Sequence, residues 1–293
     1  MTSGSTVVAG SLGDQGGAVA RTLHRRGLPV RALSVNIQSP AARALGAEGI
    51  DVVQDDLNDA AVVVRDLAGA NRVFAALTPF DEGGAEAEMR QVGNLAYAAL
   101  RAGVGHFVYS AVGDPDGDRD AGPNAAWGVE RLLRESRLPL TLLRPAFFME
   151  NLDEFALRRD GGRDLVLRMP LPDQTTLQWI AVADVGELVR LAFDRPDVFG
   201  PGPVQLAGDE LTLEVALAMV GDELDADVRY DQVALDEVQD RHARGMYRWF
   251  QSHAHYDADL ESLRQLHPHM LTFRRWLERG CLDQGKLEER SAA

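Results

Sequence analysis

The feature that most constrains the fold of this chain is a turn in which four glycines fall within residues 10–17. Gly10, Gly13 and Gly16 follow a Gly-x-x-Gly-x-x-Gly pattern, after an apolar run that predicts a buried strand and before a helical pattern at residues 18–26. A strand, a glycine turn and a helix in this order predict a diphosphate site, because the backbone can approach the ligand closely and the helix N-terminus offers free N–H groups. A tight surface turn that binds nothing is the alternative, since glycine spacing alone is common.

Further apolar strand patterns follow along the chain, and helical patterns separate them. The strands are predicted at residues 29–34, 50–54, 72–77, 106–110 and 140–144. Strands that alternate with helices in this way predict a parallel sheet with helices on both faces. We therefore expect an α/β fold, a Rossmann-type doubly wound parallel sheet with a smaller, mostly helical C-terminal lobe.

The expected domain boundary lies near residue 150. Residues 1–150 would form the dinucleotide-binding core, and residues 151–293 a smaller lobe for a substrate or a partner, with a segment at about 178–192 returning to the core. Residues 194–204 hold three prolines and two glycines and are typical of a connector.

Charge and cysteine content limit the class of protein. The formal net charge is −15, which disfavours direct binding of nucleic acid because that binding depends on neutralising phosphates. No apolar run approaches the ~20 residues that cross a bilayer, and the first residues lack the basic start of a secretion signal. The single cysteine, Cys281, excludes an internal disulfide and fits a reducing compartment. We expect a cytoplasmic protein without membrane contact.

Ligands of such sheets bind beyond the carboxyl ends of the strands, so the residues at these ends are the candidates for holding a cofactor. Asp56 would meet an adenine with its carboxylate and Leu57 would lie on the ring face, although a strand-end turn is the alternative for Asp56. Thr78 and Pro79 would line the nicotinamide side. The full set is Gly10, Leu12, Gly13, Asp14, Gln15, Gly16, Ser34, Asn36, Asp56, Leu57, Leu77, Thr78, Pro79 and Ser110.

Several strings give the chain a family resemblance over nearly its whole length. It resembles the NmrA-like group of atypical short-chain dehydrogenases in the glycine turn and in four further segments: Gln91-Val92-Gly93-Asn94, Gly103-Val104-Gly105-His106-Phe107-Val108-Tyr109-Ser110, Leu143-Arg144-Pro145-Ala146-Phe147-Phe148-Met149-Glu150-Asn151 and Gln178-Trp179-Ile180-Ala181-Val182-Ala183-Asp184-Val185-Gly186. His267-Pro268 and Thr272-Phe273-Arg274-Arg275-Trp276-Leu277 extend the likeness. The resemblance implies a Rossmann core with NAD or NADP across the sheet edge, in a family of small-molecule reductases and redox-sensing regulators.

The residue after the second strand departs from the family pattern. Members that take NADP usually carry an arginine there for the 2′-phosphate, and the matching position is Val35, between Ser34 and Asn36. No acidic residue marks a preference for NAD either, and Arg31 lies on the strand itself. The cofactor is therefore expected to be NADP or NAD, with the form left open.

The usual proton donor is also missing. Classical relatives use Tyr-x-x-x-Lys, in which the ammonium orients the ribose and lowers the pKa of the tyrosine. The only lysine of this chain is Lys286, and none of the five tyrosines has lysine four residues on. Some NmrA-like proteins instead place a lysine at the position that matches Ala126. The catalytic group is unknown, with Ser110 and Tyr109 as weak candidates; a paired strand-end hydroxyl and a core tyrosine are the alternatives.

Two further groups of residues allow a functional and a structural interpretation. Trp127, Phe147, Phe148 and Met149 would wall an apolar substrate pocket, or form core between the lobes. The histidines at 253, 255, 267 and 269 suggest metal ligands, but positions i and i+2 do not share a helix face and no other ligand pattern accompanies them, so no metal is expected.

Two functions remain open. One is an unconventional NAD(P)H-dependent oxidoreductase that acts on a small, apolar molecule. The other is a non-catalytic redox sensor that binds a partner protein according to cofactor occupancy, and Ala126 is the residue that motivates it. Either protein could form a homodimer.

Overall fold

The computed structural model describes residues 4–77, 83–111, 125–152, 157–159, 164–239, 241–253 and 256–283. Contacts divide the chain into two units, Met1–Arg144 with Val185–Val204 and Pro145–Asp184 with Gln205–Ala293. The first boundary thus follows Arg144, whereas we expected it near residue 150. The segment that returns to the first unit is Val185–Val204, where residues 178–192 were expected.

The strands and helices of the described residues follow one another in this order: β1 (Ser5–Ala9), α1 (Asp14–Arg25), β2 (Val30–Ser34), α2 (Pro40–Ala47), β3 (Asp51–Gln54), α3 (Ala60–Asp66), β4 (Ala70–Ala75), α4 (Gly84–Ala102), β5 (His106–Ser110), α5 (Ala125–Glu135), β6 (Leu140–Pro145), β7 (Phe147–Phe148), β8 (Leu157–Arg159), β9 (Leu165–Met169), β10 (Thr176–Ile180), α6 (Val182–Asp194), β11 (Val204–Leu206), β12 (Asp209–Thr212), α7 (Leu213–Leu224), β13 (Val228–Gln232), α8 (Arg241–His253), α9 (Leu260–Leu266) and α10 (Phe273–Glu278). None of these helices is both long and apolar enough to cross a membrane.

The strands β1 to β6 organise the first unit and belong to a seven-stranded sheet of order β11-β6-β5-β4-β1-β2-β3. The pairs from β6 through β3 are all parallel. Because a helix lies between each two consecutive strands from β1 to β6, their carboxyl ends meet at one edge of the sheet. The predicted Rossmann-type parallel sheet is confirmed.

The two faces of this sheet are buried by alternate residues of its central strands. Val7, Val73 and Phe107 belong to one apolar core that also takes in residues of α3, α4 and α5. Their neighbours Val8 and Phe74 point to the opposite face and are also fully buried. Helix α1 packs against β1, β2 and β4. This two-sided burial explains why the strands are continuous apolar runs.

Local signals set the helix ends. Ser39 accepts a hydrogen bond from the amide of Ala42 and begins α2, with Pro40 in its first turn. Gly103, at φ 66°, ends α4 in the left-handed conformation that glycine adopts readily. Helix α1 begins at Asp14, whereas the helical pattern predicted a start at residue 18. The early start was missed because Gly16 and Gly17, which weaken helices in general, lie inside its first turns.

The second unit contains more strand than its sequence predicted. It holds two three-stranded sheets, of order β12-β10-β7 and β13-β9-β8, in addition to α7 to α10. Its core is aromatic: Trp179 lies edge-on to Phe147 and Phe273, with ring centroids 5.2 and 5.1 Å apart.

Candidate cofactor site at the edge of the parallel sheet

Two glycines of the β1–α1 turn are required by the fold itself. A Cβ on Gly10, which has φ +75°, would lie 2.0 Å from the carbonyl oxygen of Ala76. A Cβ on Gly16 would lie 2.1 Å from the carbonyl oxygen of Gly10. Neither position can hold a larger residue unless the backbone moves. The first glycine therefore lets the turn pass the end of β4, and the third lets α1 lie against the turn.

Gly13 has no such internal reason to be glycine. Its φ of −79° and ψ of 168° suit any residue, and the nearest atom to an added Cβ is the carbonyl oxygen of Gly10 at 3.6 Å. Gly13 is exposed and is the N-cap of α1, where no described side chain caps the helix. The backbone around it can therefore be approached from outside, and the helix presents its positive end there. This arrangement fits a diphosphate.

The described residues that directly follow β2, from Val35 to Ser39, include no cation for a 2′-phosphate. Val35 is 69% exposed, and Ser34 is buried with its hydroxyl accepting a hydrogen bond from the amide of Asn36. Arg31 points away, because its guanidinium donates to Asp51 at 3.2 Å and to the carbonyl oxygen of Asp66 at 3.1 Å. The side of the site that would hold an adenosine ribose is thus neutral at this strand end.

The turn after β3 is held by side chains from two other positions. Asp56 is exposed, and one of its oxygens accepts from the amide and the side chain of Asn58. Asn94 of α4 donates to the carbonyl oxygen of Leu57 at 2.8 Å. Arg90 donates to the side-chain oxygen of Asn58. Asp56 and Leu57 were predicted from the sequence, whereas Asn94 was not, although it lies in a string that carries the family resemblance.

A pair of acidic side chains lies beneath this turn. Asp55 is 3% exposed, and burial, followed by the neighbouring carboxylate of Asp66, raises its pKa to about 7. Burial alone would raise the pKa of Asp66 as well, but the hydrogen bonds and positive charge of Arg65 bring it below its usual value. Asp55 is therefore protonated below about pH 7 and ionises above it, and the sequence carried no signal for this behaviour.

The end of β5 places the two weak catalytic candidates differently. Tyr109 is 1% exposed and donates to the carboxylate of Glu88 at 2.8 Å; burial, then the charge and hydrogen bond of Glu88, raise the pKa of Tyr109 well above its usual value. A proton-donating role for Tyr109 is therefore not supported. Ser110 is equally buried, and its hydroxyl donates to the side-chain oxygen of Gln15 at 2.6 Å. The geometry favours a paired hydroxyl for Ser110.

Other predicted residues are half-buried, buried or outside the described part of the chain. Leu12 is half-buried beside the turn, and Leu77 after β4 is buried. Thr78, Pro79 and His255 lie outside the described residues, as do the side chains of Ala126, Trp127 and His253, whose backbones belong to α5 and α8. Within the described ranges, no group of three His, Cys, Asp or Glu side chains could hold a metal ion.

The comparison with known proteins decides the family. The model of the NmrA-like family matches residues 2–278. This chain belongs to the NmrA-like family. Among curated relatives, it is 30% identical over 243 residues to the NAD(P)H azoreductase of Xenophilus azovorans, which covers 80% of this chain and 78% of that protein. It is 29% identical over 145 residues, 49% of each chain, to quinone oxidoreductase 2 of Escherichia coli K12.

Solved structures of NmrA, described as a negative transcriptional regulator, have the same fold. The structure in complex with NAD has a TM-score of 0.78 at 20% identity and covers 96% of this chain and 99% of that one. The structure in complex with NADP has a TM-score of 0.77 at 19% identity, over 100% of this chain and 98% of that one. At this identity the likeness concerns the fold alone.

One NmrA-like string holds a buried ion pair in the first unit. Arg144 donates through two nitrogens to both oxygens of Glu130, each at 2.9 Å, and both side chains are almost fully buried. The pair joins the end of β6 to α5. Arg134, one turn further along α5, also lies 3.2 Å from Glu130. The arginine of the family string therefore has a structural contact here.

Other residues of the NmrA-like strings, near positions 150 and 180 and close to the C-terminal end, form polar contacts within the second unit. Both oxygens of Glu150 accept from the amide of Val182, and one accepts from the indole of Trp276 at 3.1 Å. Asp184 accepts from His267 at 2.9 Å and from the amide of Leu271 at 2.8 Å. Through these contacts, His267, Leu271 and Trp276 of the C-terminal segment are bonded to residues at or before the start of α6.

The described side chains that were predicted to wall an apolar pocket differ in their burial. Phe147 and Met149 are buried in the core of the second unit, and Phe147 lies edge-on to Phe250 as well as to Trp179. Phe148 is half-buried. The core interpretation therefore describes Phe147 and Met149 better than the pocket interpretation.

Proposed function

We propose that this NmrA-like protein binds NAD or NADP at the carboxyl edge of its parallel sheet and acts as an NAD(P)H-dependent oxidoreductase on a small, apolar acceptor. The observation that carries the proposal is the β1–α1 turn, where Gly13 leaves open space in front of an uncapped helix N-terminus. When bound, the reduced nicotinamide supplies a hydride to the acceptor.

The substrate class rests on the relatives. The azoreductase and the quinone oxidoreductase are named for acceptors that are conjugated and largely apolar. Such acceptors need less help from an acidic side chain when water can supply the proton, so the missing lysine is compatible with turnover. The role of the protein would then be to orient cofactor and acceptor and to exclude competing reactions.

The cofactor form follows from the end of β2. Because Val35 offers neither a cation nor a carboxylate, we expect NADH and NADPH to bind with similar affinity. The substitution Val35→Arg should favour NADPH over NADH by about tenfold, since a charged hydrogen bond contributes ~1.5 kcal/mol or more. Titration calorimetry with NAD, NADH, NADP and NADPH measures this, and Val35→Gln is the uncharged control. An unchanged preference in the arginine variant would place the adenosine ribose elsewhere.

Turnover is tested by following the absorbance of the reduced nicotinamide with a panel of quinones, azo compounds, enones and simple carbonyls. We expect oxidation of NAD(P)H with quinones or azo compounds. If the cofactor binds but none of the panel is reduced, the oxidoreductase proposal fails.

The lack of a usable lysine also favours a second candidate, a redox sensor that binds a partner protein according to cofactor occupancy. NmrA, which is described as a regulator, shares the fold. Partner capture with and without NADPH tests this function, and a partner list that does not change argues against it. The substitution Ala126→Lys separates the two candidates, because only an enzyme that has lost this group should gain activity.

A further inference from the structure

Gln15 and Ser110 form a bridge across the carboxyl edge of the parallel sheet. Gln15 is the second residue of α1, beside the glycine turn, and Ser110 is the last residue of β5. In the sheet order β5-β4-β1, the strand β4 lies between them. Adjacent strands lie ~4.8 Å apart, so the Gln15 side chain extends over the end of β4 to reach the hydroxyl. This bridge lies within the first unit.

The bridge fixes which end of the Gln15 amide is free. Ser110 is 1% exposed and donates its hydroxyl hydrogen to the side-chain oxygen of Gln15 at 2.6 Å. The oxygen of the amide is therefore engaged, and the nitrogen points away from the serine. That nitrogen carries two N–H donors and makes no hydrogen bond to a described residue, while the side chain as a whole is half-buried.

The position of this donor indicates which half of a dinucleotide it would meet. A pyrophosphate at the N-terminus of α1 has the adenosine on the side of β2, because the residue that reads the adenosine ribose follows that strand. The other nucleoside then lies on the side of β4 and β5, where the Gln15 nitrogen is held. Its ribose, which directly follows the pyrophosphate, is the first group with oxygen acceptors on this side.

We propose that the amide nitrogen of Gln15 donates to the hydroxyl oxygens of the nicotinamide ribose, and that Ser110 positions it by holding the amide oxygen. This inference rests on the proposed cofactor site. In classical relatives a lysine orients this ribose, and this chain has no such lysine. The inference gives that contact to a glutamine of the glycine turn.

The test compares three ligands that differ by one group at a time. ADP has only the adenosine and the two phosphates, ADP-ribose adds the second ribose, and NADH adds the nicotinamide. Their affinities are measured by titration calorimetry for the full chain, for Gln15→Met and for Ser110→Ala, with the exposed Gln232→Met as a matched control. If the protein prefers NADPH, the 2′-phosphorylated series is used.

We expect Gln15→Met to bind ADP-ribose and NADH about three- to tenfold more weakly, the loss of one neutral hydrogen bond, and to bind ADP as the parent protein does. Ser110→Ala should show the same pattern with a smaller loss, and Gln232→Met no change. Thermal unfolding of each variant checks that it folds.

Several results would overturn the inference. Equal weakening of all three ligands would mean that the substitution disturbs the turn, and weakening of NADH alone would move the contact from the ribose to the nicotinamide. Unchanged affinities would remove the contact altogether. If the parent protein binds none of the three ligands, the proposed cofactor site itself fails, and that result is distinct from the others.

Discussion

At the scale of single residues, the three glycines of the β1–α1 turn have different reasons to lack a side chain. Gly10 and Gly16 are enclosed by backbone, with added Cβ atoms 2.0 and 2.1 Å from carbonyl oxygens. Gly13 has free space in front of it. The first two glycines therefore serve the fold, and the third is available for a ligand.

Gly13→Ala should separate binding from folding. We expect it to change the free energy of unfolding by less than about 1 kcal/mol, because its backbone angles suit alanine. Binding of NADH should weaken at least about tenfold, since the methyl group occupies the space of the phosphates. Calorimetry and urea unfolding measure the two effects.

Two other glycines provide the controls for this substitution. Gly46 lies in α2 with open space around it, so Gly46→Ala should stabilise the fold by roughly 0.5–1 kcal/mol and leave binding unchanged. Gly16→Ala should destabilise the fold by about 1–3 kcal/mol through overpacking. Normal binding by Gly13→Ala would contradict the phosphate position.

Asp55 predicts a dependence of stability on pH. Its pKa is raised from 3.8 to about 7 in the folded protein, so between these values the folded chain keeps a proton that the unfolded chain has released. Stability therefore falls as pH rises through this window. The variant Asp55→Asn cannot ionise and should be more stable than the parent at pH 8, by about 2–3 kcal/mol beyond any difference at pH 5, because about two pH units of this window, at ~1.4 kcal/mol each, lie between pH 5 and the folded pKa.

Urea unfolding at the two pH values measures this effect. The groups that act on Asp55 are Asp66, Arg65 and Asp56. Asp222→Asn, which replaces an exposed carboxylate of α7, is the control and should show no such difference. If the difference in free energy of unfolding between the parent and Asp55→Asn is the same at both pH values, Asp55 is ionised at both.

At the scale of elements, α5 is joined to β6 by a buried charge pair in addition to apolar packing. Arg144 and Glu130 are 8% and 2% exposed, and their two hydrogen bonds satisfy both carboxylate oxygens. A buried pair of this kind contributes little relative to apolar residues of the same volume, but the loss of one partner leaves a buried charge. The orientation of α5 thus depends on both members being present.

Arg144→Met should lower the free energy of unfolding by about 3–5 kcal/mol, because Glu130 remains buried without its main partner. The double variant Arg144→Met with Glu130→Leu should recover most of this loss. Arg134→Ala, whose side chain is 50% exposed, should cost less than about 1 kcal/mol. Denaturant unfolding measures all three, and a double variant no better than Arg144→Met would indicate that packing rather than charge dominates.

At the scale of the whole molecule, the chain passes between its two units after Arg144, Asp184 and Val204. The predicted cofactor residues that the structure describes all belong to the first unit, and the C-terminal NmrA-like strings belong to the second. Because the candidate site lies in the first unit, it can be tested by a property of the full chain that changes when a ligand binds to that unit.

Thermal unfolding is such a property. A ligand at one hundred times its dissociation constant stabilises the folded state by about 2.7 kcal/mol, which corresponds to a rise in Tm of roughly 5 °C or more for a chain of this size. We expect this rise with NADH or NADPH for the parent protein and about half of it or less for Gly13→Ala at the same concentration, because a tenfold weaker affinity leaves about 1.4 kcal/mol of stabilisation. Equal shifts for the two proteins would exclude the β1–α1 turn as the binding site.

The first unit could be predicted because its signals are local. Its strands are apolar runs bounded by glycine or polar turns, and its helices alternate with them, so periodicity alone indicates a parallel sheet. The sheets of the second unit were missed because their strands are short and pair over long separations. Val228–Gln232 pairs with Leu165–Met169, and neither stretch shows its partner in its own sequence.

The sequence by itself determined the NmrA-like family, the glycine turn, and the absence of a lysine that could serve the site, because these depend on which residues are present and on short spacings. Only the tertiary structure decided that Arg31 turns away from the site, that Tyr109 is enclosed, and that Gln15 is bonded to Ser110. Gln15 and Ser110 are 95 positions apart, and their contact follows from the order of strands in the sheet, which no local pattern specifies.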